Sequence, residues 1–111
     1  MAIRFKTNDP KKLLEDFKKA IDKDIVATWS YDQDGDFTHT PPQWKNKAWL
    51  RPKIKTDELV FSIIKQRGNN ISSLVYAVYH GRFIESMLNH FDSSFRNAEA
   101  TPLPSEDDRV S

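Results

Sequence analysis

Residues 58–65 constrain the fold more than any other stretch, because Leu59, Val60, Phe61, Ile63 and Ile64 make a short run that is apolar on both faces of a β-strand. Such a strand needs cover above and below and a neighbour on each side, so it predicts a central place in a sheet packed against other elements. With 111 residues and 12.9 kDa, the chain holds one core of this kind and not two. Seven Phe, three Trp and three Tyr supply the large apolar groups that a disordered chain lacks. One domain over residues 1–95 is therefore expected.

The segment before it, residues 47–55, separates two chemistries when read with a period of two. Ala48, Leu50, Pro52 and Ile54 alternate with Lys47, Trp49, Arg51, Lys53 and Lys55. The first set suits a core, and the second presents four cations around one indole. Together, residues 47–55 and 58–65 predict a hairpin that turns at Thr56-Asp57.

The other elements follow from local signals. Ile3 and Phe5 alternate with Arg4 and Lys6, which predicts a strand over residues 2–6. Asn8-Asp9-Pro10 offers a capping side chain and a first-turn proline, and Leu13, Leu14, Phe17 and Ile21 form one apolar stripe, so a helix is expected over residues 10–23. Residues 26–31 and 37–40 read as a hairpin around the polar turn 32–36, with Pro41-Pro42 interrupting the sheet. A long helix is expected over residues 71–91, starting near Ser72 and burying Leu74, Val75, Val78, Ile84, Met87, Leu88 and Phe91. Gly81 in its middle marks an expected close approach to another backbone. From Arg96 onward Pro, Ser and acidic residues dominate, and residues 96–111 read as a disordered tail. The order β-α-β-β-β-β-α gives an α+β fold, a mostly antiparallel sheet of four to five strands against two helices.

Composition bounds the partners. Seventeen Lys and Arg against sixteen Asp and Glu leave a net charge of +1, so attraction to polyanions is not built into the whole molecule. The absence of cysteine fits a reducing compartment, the cytoplasm by default. Neither a signal peptide nor a membrane-spanning run is expected.

Three constellations could carry chemistry. Asp32, Asp34 and Asp36 resemble the opening of a calcium loop, but Phe37 stands where the loop needs glycine and Gln43 where it needs a bidentate glutamate. An acidic hairpin turn, with Gly35 supplying a positive φ, is the reading adopted, and no metal or cofactor is assigned. His39, His80 and His90 match no helical metal motif, since ten residues place His80 and His90 about 80° apart on a helix. His80 with Arg82, Glu85 and His39 is the arrangement on which an enzyme of unknown reaction would rest, against the alternative of hydrogen-bonded structural residues.

The aromatic and basic residues make the third. Trp29, Tyr31, Trp44, Lys47, Trp49, Arg51 and Lys53 are the candidate partner-binding residues, since Trp, Tyr and Arg are the types that dominate interface energetics, and Trp29 and Tyr31 share the face of Trp49 and Arg51 if both helices lie on the other side. The leading expectation is a small non-enzymatic interaction protein, adaptor- or immunity-like, that binds a protein partner or a second copy of itself through this face. Lys45, Lys47, Trp49, Arg51, Lys53 and Lys55 could instead bind single-stranded nucleic acid. The plain alternative is a second small core, in which Trp29 and Trp49 pack beneath the loop of residues 41–46.

Overall fold

The computed structural model describes residues 3–105 and 107–111. Eight elements follow in the order β1 (Ile3–Lys6), α1 (Pro10–Asp22), β2 (Trp29–Tyr31), β3 (Phe37–His39), β4 (Ala48–Ile54), β5 (Glu58–Lys65), α2 (Ser73–Phe91) and β6 (Asn97–Ala100). The strands form one antiparallel sheet in the order β2-β3-β4-β5-β1-β6. This is the expected α+β architecture with one strand more than the four to five predicted. The doubly apolar run became the long strand β5, with β4 and β1 as neighbours.

Both helices cover the same face. Ile3 lies opposite Phe61, Phe5 opposite Leu59, and Leu50 opposite both Ile63 and Phe37, so these side chains share one side of the sheet. Helix α1 adds Leu13, Phe17 and Ala20 to that core, and α2 adds Tyr76, Tyr79, Phe83 and Met87. Asp9 caps α1 by accepting from the Lys12 N–H at 3.1 Å, and Ser72 caps α2 by accepting from the Val75 N–H at 3.1 Å. At the other end of α1, Asp24 takes a left-handed φ of 60° and reverses the chain into Val26.

Three expectations are corrected here. The first concerns the phase of α2: among the residues expected inside, only Met87 is fully buried, while Leu74 and Leu88 point outward. Tyr76, Tyr79, His80 and Phe83 take the core instead. The phenol hydroxyls find partners, which lets those rings go inside: Tyr76 Oη donates to the Thr101 carbonyl at 2.8 Å, and Tyr79 Oη donates to the Trp44 carbonyl. The second concerns Gly81, where an added Cβ would meet nothing within 4 Å, so no other element among the described residues approaches it closely.

The third is the tail. Asn97–Ala100 pair with β1 as an edge strand, and residues 108–110 run along β5 where β1 has ended. Ile63 N–H donates to Asp108 Oδ1 at 2.8 Å, Arg109 N–H to the Ile63 carbonyl at 2.8 Å, and Lys65 N–H to the Arg109 carbonyl at 2.7 Å. β5 has a free edge there, and backbone pairing, which needs no apolar side chains, closes it.

Candidate functional site

The helix-free face of the sheet follows from strand register. Lys53 lies opposite Val60, Val60 opposite Arg4, and Arg4 opposite Glu99; Arg51 lies opposite Ser62, and Trp49 opposite Ile64. Trp49 is half-buried, and Val60 and Ser62 are buried although no helix covers them. Arg4 and Lys53 are the cross-strand neighbours of Val60 on this face. A hollow of about 290 Å³ opens beside this floor, lined by Arg51, Pro52, Lys53, Ser62, Ile64, Asp107 and Arg109.

Several of the cations there already have partners. Arg51 makes a bidentate pair with Asp36, Nε to Oδ1 at 3.1 Å and Nη2 to Oδ2 at 2.9 Å. Asp36 is buried, and Arg51 supplies the opposite charge and both hydrogen bonds that its carboxylate meets there. Arg4 Nε lies 3.2 Å from Glu58 Oε2, and Lys6 Nζ lies 3.1 Å from Glu58 Oε1. Lys47 and Lys53 are exposed. The face therefore carries both signs of charge around an indole.

No family model, curated protein or solved structure matches this chain. The site stands on its own geometry.

Trp29 and Tyr31 do not share that face. Tyr31 pairs with Phe37 and Phe37 with Leu50, which puts Tyr31 on the helix side, and Trp29, two residues away, follows it. Trp29 packs edge-on against Phe83 and Tyr79 at centroid distances of 5.0 and 5.7 Å, in the main core. The second small core joining Trp29 and Trp49 is thereby excluded. Tyr31 Oη donates to Asp22 Oδ1 at 2.7 Å and ties β2 to α1. Trp44 sits in the loop between β3 and β4, which Thr38 holds down: Thr38 Oγ1 donates to the Ala48 carbonyl at 3.0 Å and accepts from the Asn46 N–H at 3.1 Å. Tyr79, a residue that the sequence reading passed over, closes this network from α2 at 3.0 Å from Thr38 Oγ1.

The polar constellation splits. His39, Arg82 and Glu85 line one hollow of about 180 Å³ with Thr28, Gln43, Trp44 and Ser86. His39 Nδ1 lies 2.8 Å from the Thr28 carbonyl and must be the protonated nitrogen there, which leaves Nε2 as an acceptor. His80 is elsewhere, stacked on Tyr76 at 3.8 Å with Nδ1 donating to the Tyr76 carbonyl at 2.6 Å and Nε2 buried without a hydrogen-bond partner among the described residues. The quartet expected around His80 is not assembled. Asp32, Asp34 and Asp36 do converge within 4.8 Å of one another. Asp32 Oδ1 accepts the N–H groups of Asp34 and Asp36 at 3.0 Å each, so these carboxylates build the turn and anchor Arg51.

Burial is the largest influence on both inner histidines and lowers the pKa of each below 6.5, against the opposing pull of the carbonyls of Thr28 and Tyr76. At His80 the nearby Asp108 carboxylate also opposes the shift. The folded state thus binds fewer protons than the unfolded one, and stability present above pH 6.5 is lost as the pH falls through that value toward the folded pKa. Urea midpoints taken between about pH 7.5 and about pH 5, before most carboxylates titrate, should fall steadily. In His80→Phe, which keeps a ring against Tyr76, part of that decline should vanish; an unchanged slope would refute the assignment.

Proposed function

We propose that this chain is a small non-enzymatic interaction protein of the cytoplasm that docks a protein partner on the helix-free sheet face, with Trp49 and Lys53 at the centre of the contact. The observation that carries the reading is the segregation of the molecule: both helices lie on one side, and a half-exposed indole beside a hollow lies on the other. Indole and arginine side chains at the edge of a concave floor are what a protein hot spot is made of. A single strand of nucleic acid suits the face less well, because Glu58, Glu99 and Asp107 stand among its cations and would repel phosphates. The lack of cysteine supports a reducing compartment. No helix among the described residues is long and apolar enough to cross a membrane.

The test needs variants that leave the fold intact. Arg51→Glu is unsuitable, since it would set two carboxylates against each other at Asp36. Trp49→Ala and Lys53→Glu touch only the outer face. Captured from lysate with crosslinking and identified by mass spectrometry, a stoichiometric partner should weaken about thirtyfold or more with Trp49→Ala, the loss of one hot-spot side chain. Capture that both variants leave unchanged would reject the surface. A shift of single-stranded DNA or RNA that weakens steeply with salt and depends on Lys53 would replace this reading with nucleic-acid binding.

A further inference from the structure

The outward side of α2 poses a problem that the chain does not solve by itself. Leu74, Gly81 and Leu88 are seven residues apart and so lie nearly along one line of the helix, with Ala77, Val78 and Ile84 beside it. Leu74 is 63% exposed and Leu88 52%, among the largest apolar exposures of the molecule. Gly81 weakens the helix and faces open space, so no contact among the described residues accounts for it. A shallow hollow lies over Gly81, Ile84, Glu85, Leu88 and Asn89.

We propose that α2 packs antiparallel against α2 of a second copy of this chain, with the two Gly81 backbones at the crossing. The stripe is centred on Gly81: in a two-fold antiparallel pair, Leu74 comes opposite Leu88 of the second copy and Ala77 beside its Ile84. A foreign partner would not require a pattern that mirrors itself about its own midpoint. Interaxial distance follows the size of the side chains at the contact, and glycine at the crossing permits the closest approach.

Charge sets the direction. Arg82 and Glu85 are the only acidic or basic residues of the helix besides its histidines; they lie beside the stripe, mostly exposed, with nitrogen and oxygen 3.8 Å apart. Helical side chains lean toward their own N-terminus, so in the antiparallel pair each Arg82 leans toward Glu85 of the second copy across the crossing. In a parallel two-fold pair the Arg82 and Glu85 side chains of the two copies fall on opposite sides of the seam, so this cross-pairing is lost. This dimer leaves both helix-free sheet faces uncovered and is independent of what docks there.

Sedimentation velocity of the full chain from about 10 to about 300 µM tests the proposal, with binding read from the concentration dependence. Wild type should dimerise. Gly81→Gln should raise the thermal midpoint at the lowest concentration, because the added side chain enters open space and favours the helix, yet weaken dimerisation about tenfold or more by separating the backbones. Arg82→Glu should weaken the dimer too, and the exchange Arg82→Glu with Glu85→Arg should restore it. A wild type that stays monomeric throughout, or a dimer that Gly81→Gln leaves unmoved, overturns the proposal.

Discussion

Truncating Phe83 to alanine should lower the free energy of unfolding by about 4 kcal/mol, the largest effect expected of any single substitution in this chain. Phe83 is fully buried and lies where the elements meet. Its ring centroid is 4.6 Å from Phe61 on β5, 5.0 Å from Trp29 on β2, 5.1 Å from Phe17 on α1, and about 6 Å from Phe5 on β1 and Phe37 on β3. Alanine would leave a cavity walled by rings from five elements, none of which can move in without breaking its other edge-on contacts. A domain of this size has only about 5–15 kcal/mol in total, so the variant should sit near its unfolding threshold. Urea denaturation followed by tryptophan fluorescence gives the difference, and Phe83→Leu should cost about a third as much. A loss under about 1.5 kcal/mol for Phe83→Ala would mean that the aromatic cluster is not the centre of the core.

Phe83 is hidden in the sequence for a physical reason. The aliphatic residues of α2 point its buried side toward Leu74 and Leu88, whereas Tyr76, Tyr79, His80, Phe83 and Met87 repeat at the same helical spacing. Tyr scores as polar, but once Oη of Tyr76 and Tyr79 have carbonyl partners, what is left to bury is ring. The strands were legible because alternation and turn residues act locally: Ala48 and Leu50 do go inward and Lys47, Arg51 and Lys53 outward, although Ile54, expected inside, is 48% exposed at the strand's end. The face of Trp29 and Tyr31 was not legible, since parity in a short strand is fixed by the partner it pairs with, here Phe37 and then Leu50. Likewise no local signal shows that Arg51 is held by Asp36, fifteen residues away across two strands.

Asp108→Ala should cost about 2–3 kcal/mol, from a segment whose composition reads as disordered. Its carboxylate is buried, with Oδ1 accepting the Ile63 N–H at 2.8 Å and Oδ2 the Ser105 N–H at 2.7 Å. Bonds to a carboxylate are the stronger kind, and removing it strands a backbone donor of the central strand away from water. Arg109 and Val110 follow in register, their carbonyls accepting from Lys65 and Ile71, so losing the anchor should loosen the whole lane. Hydrogen exchange resolves this by position: the amides of Ile63, Lys65 and Ile71 should exchange faster by a factor of about thirty or more, while those of β4 change only with global stability. Because Asp108 also opposes the depression of the His80 pKa, its removal should push that pKa lower still. Unchanged protection at Ile63 would show that the β5 edge is closed without the C-terminal segment. Faster exchange confined to residues 63–71 would show that a sequence poor in apolar residues is held in the fold by backbone pairing and one buried carboxylate.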